Sequence, residues 1–359
     1  MKSGTRKPKP DTRAGATMRA RMRDVAELAG VGTMTVSRVL SGSVPVSEET
    51  RVRVLAAIEK LDYRPNEVAR SLREARTRSI GIIVPNFFDS FFACCAHEVS
   101  LVAQEHGYSV MVTTSSEDAA TEYNEASLMM RRNIEGIIVI PAWLGETQLT
   151  RPEFASIPIV ALDRPIQGES AGFSNLSSVV VENRRGAERG VQHLIEHGHQ
   201  RIVYLSLSNE LYTLKERHAG YMRAMKQAGL KPEAYFTCAT KESTLEVLRQ
   251  LRARNSMPTA IFTSNNLVTQ HTLHALATLK LAVPKKVAVV AFDDLEMFDI
   301  FLPPVTVLSQ PIQGLGRAAA DLLFAQLNTP RVNAAARTEG RHIVLPVDLM
   351  LRRSCGCHA

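Results

Sequence analysis

The chain has 359 residues, enough for two or three domains and a large buried core. Its hydrophobic fraction of 45% is that of an ordinary globular protein, and no apolar run approaches the ~18–20 residues that a membrane span needs. The net charge of +7 is unevenly spread: residues 1–78 carry 17 Lys+Arg against 9 Asp+Glu, and the remaining 281 residues carry 26 against 27. A basic segment on a neutral body indicates either a polyanionic partner or a solvated basic tail.

The first 20 residues are rich in Lys, Arg and Pro and lack the apolar core of a secretory signal. We expect this tail to be disordered. The five cysteines include the adjacent Cys94 and Cys95, a pattern that is not a disulfide framework. A cytosolic protein is therefore expected.

Residues 22–63 predict three short helices. The first covers about 23–29 and ends at Gly30, which permits a tight turn. The second covers about 33–41. Two short helices joined by a tight turn, the second with a free polar face, are the helix-turn-helix pattern, whose second helix enters the major groove of DNA.

Helical spacing divides the second helix into two faces. Its apolar face carries Val36, Val39 and Leu40, and its free face carries Thr33, Met34, Ser37 and Arg38. The third helix begins after Ser47, with acidic residues in its first turn. Its core face is expected to consist of Val52, Leu55, Ile58 and Leu61.

From Ser79 onward, apolar runs of strand length alternate with amphipathic segments of helix length. The predicted strands are 80–84, 109–113, 136–140, 157–162, 179–181, 201–205, 259–262, 287–292 and 305–308. The predicted helices are 90–106, 119–133, 182–198, 213–229, 241–254, 266–281 and 312–327. This alternation predicts two doubly wound parallel-sheet lobes, with a ligand crevice at the carboxyl ends of their strands.

Many short motifs stand at fixed places along the chain. The N-terminal motifs are Asp24-Val25-Ala26, Ala29-Gly30-Val31, Thr35-Val36-Ser37-Arg38-Val39, Val46-Ser47 and Tyr63-Arg64-Pro65-Asn66. The body adds Arg78-Ser79-Ile80-Gly81, Leu162-Asp163-Arg164, Gly220-Tyr221 and Phe292-Asp293-Asp294. Over about residues 22–354 the sequence resembles the lactose-repressor (LacI/GalR) family of bacterial transcription regulators, and residues 33–38 resemble its gluconate-repressor branch.

This resemblance implies an all-α helix-turn-helix DNA-binding domain followed by an α/β periplasmic-binding-protein-like domain of two doubly wound parallel-sheet subdomains. The expected segments are a tail at 1–20, the DNA-binding domain at 21–63, a hinge helix and linker at 64–78, and an effector-binding and dimerisation domain at 79–359. With three crossovers, the two subdomains are expected at about 79–181 plus 310–338 and at 182–309 plus 339–359.

The resemblance also implies two sets of DNA contacts. Thr33, Met34 and Arg38 are expected to read bases, with Arg38 able to hold a guanine by two hydrogen bonds, while Thr35 and Ser37 touch phosphate. The hinge contacts are expected from Asn66, Ala69, Arg70 and Leu72. Leu72 matches the family's apolar wedge, inserted from the minor groove, and a segment this short cannot hold a helix alone in water.

Polar residues stand where several predicted strands end, a placement that suits a polyhydroxylated ligand. The candidate effector-binding residues are Phe91, Phe92, Asp163, Arg217, Asn265 and Asp293. Of these, Arg217, Phe91 and Phe92 are assigned by the resemblance. For each lone acid the alternative is helix capping.

The sequence departs from the family at two points near the crevice. Asp89-Ser90 stands where the family often has Asn-Pro, and Asn265-Asn266 stands where it often has Asn-Asp. An acid is gained at one place and an acid is lost at the other. The identity of the effector is therefore left open between a sugar and a sugar acid.

No catalytic constellation or cofactor motif is found, so an enzyme is not expected. His193 and His197 lie four residues apart on one predicted helix, with His199 just after it; this suits a metal face or, more simply, the end of a surface helix. Cys355-Gly356-Cys357 has no evident partner ligands and can be structural, incidental or oxidisable.

The expected function is that of a homodimeric repressor that binds a palindromic operator and responds to a sugar or sugar acid. No metal, cofactor or membrane partner is expected. The alternative is a sugar-binding transport-type protein without a regulatory role, which would explain the body but not the helix-turn-helix segment.

Overall fold

The computed structural model describes residues 20–41, 44–64, 76–143, 147–166, 176–329 and 340–357. The chain divides into two units, Met1–Thr77 and Arg78–Ala359. The expected tail, apart from residue 20, and the hinge segment 66–73 lie outside the described residues. Within the described part, no helix is long and apolar enough to cross a membrane.

The first unit contains the three predicted helices, α1 (Met22–Ala29), α2 (Thr33–Ser41) and α3 (Glu48–Lys60). Gly30 ends α1 with a φ of 64°, and its N–H bonds the carbonyls of Ala26 and Glu27. This left-handed conformation is the one that glycine adopts without strain. It allows the chain to reverse within three residues before α2 begins.

The small core of this unit is formed by Val25, Ala26, Ala29, Val36, Val54, Ala57 and Tyr63. The predicted core face of α3 is wrong in half of its members, because Val52 is 56% exposed and Leu55 is 45% exposed. Val54 and Ala57 are buried instead, with Ile58 and Leu61 packed beside them. The set 54, 57, 58 and 61 follows the three-and-four spacing of one helix face more closely than a strict spacing of three.

The second unit contains two six-stranded sheets. The strands are β1 (Ser79–Val84), β2 (Ser109–Thr114), β3 (Ile137–Val139), β4 (Ile159–Leu162), β5 (Ser177–Val181), β6 (Ile202–Leu205), β7 (Glu233–Tyr235), β8 (Ala260–Thr263), β9 (Ala288–Phe292), β10 (Thr306–Ser309), β11 (His342–Leu345) and β12 (Asp348–Met350). The first sheet has the order β11-β5-β4-β3-β1-β2 and the second β12-β10-β9-β8-β6-β7. Among the described strands, every pairing is parallel except that of β10 with β12.

Helices cover both sheets. They are α4 (Ser90–Glu105), α5 (Ala119–Arg131), α6 (Asn183–Glu196), α7 (Tyr212–Gln227), α8 (Lys241–Ala253), α9 (Asn266–Thr278), α10 (Glu296–Ile300) and α11 (Ile312–Leu327). Helices α4 and α11 pack together on the first sheet, and α6 and α7 pack together beside the second. The predicted fold class of two doubly wound subdomains is confirmed.

The chain passes between the two sheets three times. It leaves the first sheet after β5, returns to it after β10, and leaves it again between β11 and β12. The predicted third boundary, at 339, is wrong, because His342–Leu345 pairs in parallel with Ser178–Val181 and so belongs to the first subdomain. Only the segment from β12 onward joins the second sheet, through its antiparallel pairing with β10.

Candidate recognition helix and effector cleft

Helix α2 buries one side and exposes most of the other to solvent. Val36 is fully buried in the core of the first unit, whereas Met34 is 72% exposed. Thr33 and Arg38 are also exposed, and Thr35 and Ser37 are half-buried. An apolar side chain as large as Met34 that is held in solvent beside a basic residue is suited to contact with base edges. The four hinge residues named from the sequence, Asn66, Ala69, Arg70 and Leu72, lie outside the described residues.

Arg217 organises the second subdomain's wall of the cleft. It lies on α7 and is only 3% exposed. Its Nε donates to Asn183 Oδ1 at 2.8 Å, and its Nη1 donates to the Ser264 carbonyl at 2.8 Å and to Asp293 Oδ2 at 3.1 Å. Its Cζ lies 3.7 Å from the centroid of the Phe292 ring. Three side-chain or backbone acceptors and an aromatic face therefore fix the plane of the guanidinium group.

Asp293 directly follows β9 and adopts a φ of 71°. Besides Arg217, it accepts a hydrogen bond of 2.6 Å from Gln310 Nε2, and Gln310 directly follows β10. The Gln310 Oε1 and Ser264 Oγ atoms are buried without a hydrogen-bond partner among the described residues. Buried polar atoms without partners are costly, and at a cleft they are ready to bond a ligand.

Asp163 occupies the corresponding place in the first subdomain, immediately after β4, with a φ of 66°. Burial raises its pKa to about 6, although the positive charges of Arg164 and Arg217 oppose this shift. The Arg164 Nε lies 3.4 Å from Asp163 Oδ2, an ion pair without hydrogen-bond geometry. Arg164 is committed mainly to Glu117, which its two Nη atoms hold at 2.7 and 2.8 Å.

Asp89 and Asn266 connect the two subdomains. Asp89 caps α4 by accepting from the Phe91 N–H at 3.0 Å, and the same Oδ1 accepts from Asn266 Nδ2 at 2.9 Å. Burial raises the pKa of Asp89, and the hydrogen bonds from Phe91 and Asn266 oppose that rise. Asn266 is 5% exposed and begins α9. A polar contact between the two lobes therefore lies at the level of the strand ends.

The remaining predicted effector residues lie near this contact but face other partners. The Asn265 side chain caps α9 by accepting from the Val268 N–H at 3.0 Å. Phe91 and Phe92 are 8% and 7% exposed and pack edge to face with each other in the main core. Asn265 therefore stabilises the start of a helix, and Phe91 and Phe92 contribute to the core, whether or not they contact a ligand.

Four cleft residues lie outside the candidate set named from the sequence: Asp89, Asn183, Asn266 and Gln310. Asp89 stands out in the sequence only as a departure from the family, whereas Asn266 also follows the predicted strand 259–262 together with Asn265. Asn183 and Gln310 come just after β5 and β10, so the rule that identified Asp163 and Asp293, a polar residue following a strand, applies to them as well.

The comparisons with known proteins agree with this architecture. A model of the bacterial regulatory proteins of the lacI family matches residues 21–66, and a model of a periplasmic binding protein-like domain matches residues 191–355. The ribose operon repressor of Escherichia coli K12 is 31% identical over 319 residues, which cover 87% of this chain and 94% of that protein.

Two solved structures extend the likeness. A complex of the transcriptional regulator CelR with cellobiose has a TM-score of 0.65 and 28% identity, and it covers 94% of this chain and 100% of CelR. A lac repressor dimer bound to operator and the anti-inducer ONPF has a TM-score of 0.80 at 23% identity over 94% and 99% of the two chains. The latter identity is low enough that it supports the fold alone.

Proposed function

Because this chain belongs to the lacI family of bacterial regulatory proteins, we propose that it is a homodimeric repressor whose operator affinity is set by a neutral sugar bound between its two α/β subdomains. Membership of the family makes the chain a DNA-binding transcriptional regulator and not an enzyme. Beyond family membership, we propose the class of effector, the dimeric state and the roles of the individual residues.

The observation that supports a sugar is the set of side chains that we call the cleft cluster: Asp89, Asp163, Arg217, Asn266 and Asp293. These groups come from both subdomains, and every member is largely buried or half-buried. Carboxylates accept hydrogen bonds from hydroxyl groups, while amides and guanidinium groups donate to them. Such a mixture fits a molecule that carries many hydroxyl groups.

The charge of the cleft cluster favours a neutral sugar over a sugar acid. It contains three carboxyl groups and one guanidinium group, and Arg217 is already bonded to Asp293. Arg164 is paired with Glu117 and adds no free positive charge. An added carboxylate would face an excess of negative charge in a poorly solvated site. The ribose operon repressor and the cellobiose complex of CelR are relatives whose names refer to neutral sugars.

The proposed mechanism is a shift in the population of cleft conformations. A ligand that contacts both lobes stabilises the arrangement in which they are close, and it shifts the equilibrium by its difference in affinity between the two states. The first subdomain directly follows the DNA-binding unit in the chain, so a change in its position can alter the hinge segment and thereby operator binding. In this scheme Leu72 supplies the wedge and α2 reads the bases.

Binding of the full-length chain to its own upstream DNA tests the regulatory part of the proposal. Fluorescence anisotropy with a labelled upstream duplex should give specific binding that survives an excess of unrelated DNA and weakens steeply with salt. If specific binding is not obtained with or without candidate sugars, the repressor proposal fails. Sedimentation of the free protein should give a dimer, and a monomer or a tetramer would contradict that assignment.

The effector is tested separately by thermal shift. A ligand that binds only the folded chain raises its melting temperature. Neutral pentoses, hexoses and disaccharides should include a stabilising ligand, while the matching aldonic acids should have smaller effects. A sugar acid that stabilises more than its parent sugar would overturn the charge argument and leave the repressor assignment intact.

A further inference from the structure

The C-terminal tail meets the end of α6 through a group of nitrogen and sulfur atoms. Cys357 Sγ lies 3.2 Å from His193 Nε2 and 3.0 Å from His197 Nε2. His193 lies in the last turn of α6 and His197 is the residue at its C-cap, whereas Cys357 is more than 150 residues away in the sequence. The ligand atoms of these three residues lie within 4.8 Å of one another.

A second thiol adjoins the group. Cys355 Sγ lies 3.1 Å from Cys357 Sγ, and the hydroxyl of Thr306 donates to Cys355 Sγ at 3.1 Å. Cys355 is 1% exposed, Cys357 is half-buried, and His197 is exposed. The group is thus anchored on a buried side and reachable from solvent on the other.

One hydrogen bond shows which ring nitrogen of His197 is its donor. His197 Nδ1 lies 2.7 Å from the His193 carbonyl oxygen. Because a carbonyl oxygen can only accept, Nδ1 carries the ring proton and the neutral ring directs the lone pair of Nε2 at Cys357. The Nε2 atoms of His193 and His197 and the Cys357 sulfur lie close enough together for one cation to bind all three.

We propose that His193, His197 and Cys357, with Cys355 as a fourth ligand, form a binding site for a divalent transition metal of the zinc class. Two imidazoles and two thiolates are a ligand set that zinc prefers, and it binds them tetrahedrally. With bonds of about 2.1 Å to nitrogen and about 2.3 Å to sulfur, neighbouring ligand atoms stand roughly 3.6 Å apart. The observed separations of 3.0–3.2 Å need to open by about half an ångström.

The surrounding structure already orients these ligands. The bond from His197 Nδ1 to a carbonyl is the kind of outer contact that fixes a metal-binding imidazole. The tail is docked just before Cys355, because Ser354 Oγ donates to the Val289 carbonyl at 2.6 Å and accepts from the Thr306 N–H at 2.8 Å. The metal would therefore join a fixed tail to the end of α6, rather than order a free segment.

The site is tested with cobalt and zinc on the full-length chain. The protein is prepared without a polyhistidine tag, reduced with a phosphine that binds metals weakly, and titrated with Co²⁺. We expect one Co²⁺ per chain, a thiolate-to-cobalt charge-transfer band and the intense visible bands of a tetrahedral site. Zn²⁺ should remove these bands and raise the melting temperature of the chain.

Variants identify the ligands. His197→Gln and Cys357→Ser should each weaken Co²⁺ binding by at least about tenfold, and Cys357→Ser should also diminish the charge-transfer band. The matched controls are His274→Gln and Cys94→Ser, which remove an exposed histidine and an exposed cysteine elsewhere in the same unit. Since His197 is exposed, its replacement should not disturb folding, which circular dichroism checks.

Three outcomes overturn the proposal. The reduced chain can fail to bind Co²⁺, as expected if protonated imidazoles simply pair with a thiolate. It can bind Co²⁺ without the charge-transfer band, which excludes thiolate ligands. It can also keep its affinity in both ligand variants, which places the metal elsewhere.

Discussion

The Asn266 Nδ2 donates a hydrogen bond of 2.9 Å to Asp89 Oδ1, and this bond joins the two α/β subdomains. It joins the two positions at which the sequence departs from the pattern expected of the family at the crevice. The family often has Asn at the position of Asp89 and Asp at the position of Asn266. Here the acid and the amide have exchanged places, so the acceptor is on the first subdomain and the donor on the second. An acid gained at one position and an acid lost at the other are two halves of one contact.

Exchanging the two side chains tests this relationship. Asn266→Asp should destabilise the chain by about 1 kcal/mol or more at pH 8, because two carboxylates then face each other in a partly buried site. Adding Asp89→Asn should recover most of that loss, because the restored amide donates to the new carboxylate while asparagine still caps α4. Urea denaturation of the wild type, both single variants and the double variant gives the coupling energy. Strictly additive effects would show that the contact carries no energy.

Replacing Asp163 should reduce the pH dependence of stability. Its pKa is raised by burial to about 6, above the ~3.9 expected in the unfolded chain. The folded state therefore binds the proton more tightly, and this carboxyl group lowers the stability as the pH rises from about 4 through 6. Between pH 5 and pH 7.5 the wild type should lose on the order of 1 kcal/mol more unfolding free energy than Asp163→Asn.

Asparagine suits this position because Asp163 has a φ of 66°, a conformation that asparagine tolerates. Asp118→Asn is the matched control. Hydrogen bonds from Thr121 lower the pKa of the half-buried Asp118, the opposite direction to Asp163, so this variant should not reduce the pH dependence in the same way. Equal pH dependence in Asp163→Asn and the wild type would show that Asp163 titrates in the folded chain as it does in the unfolded chain.

Arg217 should matter both for folding and for the effector. Arg217→Ala leaves Asp293, Asn183 and the Ser264 carbonyl without their shared donor, and the loss of one partner of a buried ion pair costs about 3–5 kcal/mol. Arg184→Ala removes a half-exposed ion pair with Glu216, and it should cost less than about 1 kcal/mol. Urea unfolding compares the two variants.

The milder variant Arg217→Lys separates the contribution of this residue to folding stability from its contribution to effector binding. Lysine keeps the positive charge but cannot hold three acceptors in one plane. We expect this variant to fold and bind operator while the thermal shift caused by the effector is largely lost. An unchanged shift would remove Arg217 from the effector site.

The fold was largely predictable because each central strand is a buried apolar run and each long helix is amphipathic. The strands that were not predicted are β7, β11 and β12, which lie at the edges of the two sheets. They are three or four residues long and only partly buried, so they lack the apolar signal of a central strand. Overlooking β11 also placed the third boundary at least seven residues too early, because the first sheet includes the chain through Leu345.

The site residues were predicted from local sequence patterns. Residues that follow a strand could be identified in this way, whereas contacts between distant parts of the chain could not. Asp163 and Asp293 were identified because each follows a strand directly. By contrast, Asn266 contacts a residue 177 positions away, and Cys357 contacts His193 164 positions away. No local sequence pattern indicates that these residues are in contact. The individual residues could therefore be noted from the sequence, but their pairing could not be predicted.

Met34 gives the sharpest test of the recognition helix. Its side chain is 72% exposed, so Met34→Ala should change the melting temperature little. If α2 reads the operator as proposed, the variant removes an apolar contact to a base edge and should weaken operator binding by about 1–2 kcal/mol. Val52→Ala is the control, because Val52 is also an exposed apolar residue of the same unit but lies on α3. Anisotropy titrations with operator and with unrelated DNA should locate the loss in specific binding alone. If Met34→Ala weakens binding to both duplexes equally, or no more than Val52→Ala does, Met34 does not read the operator.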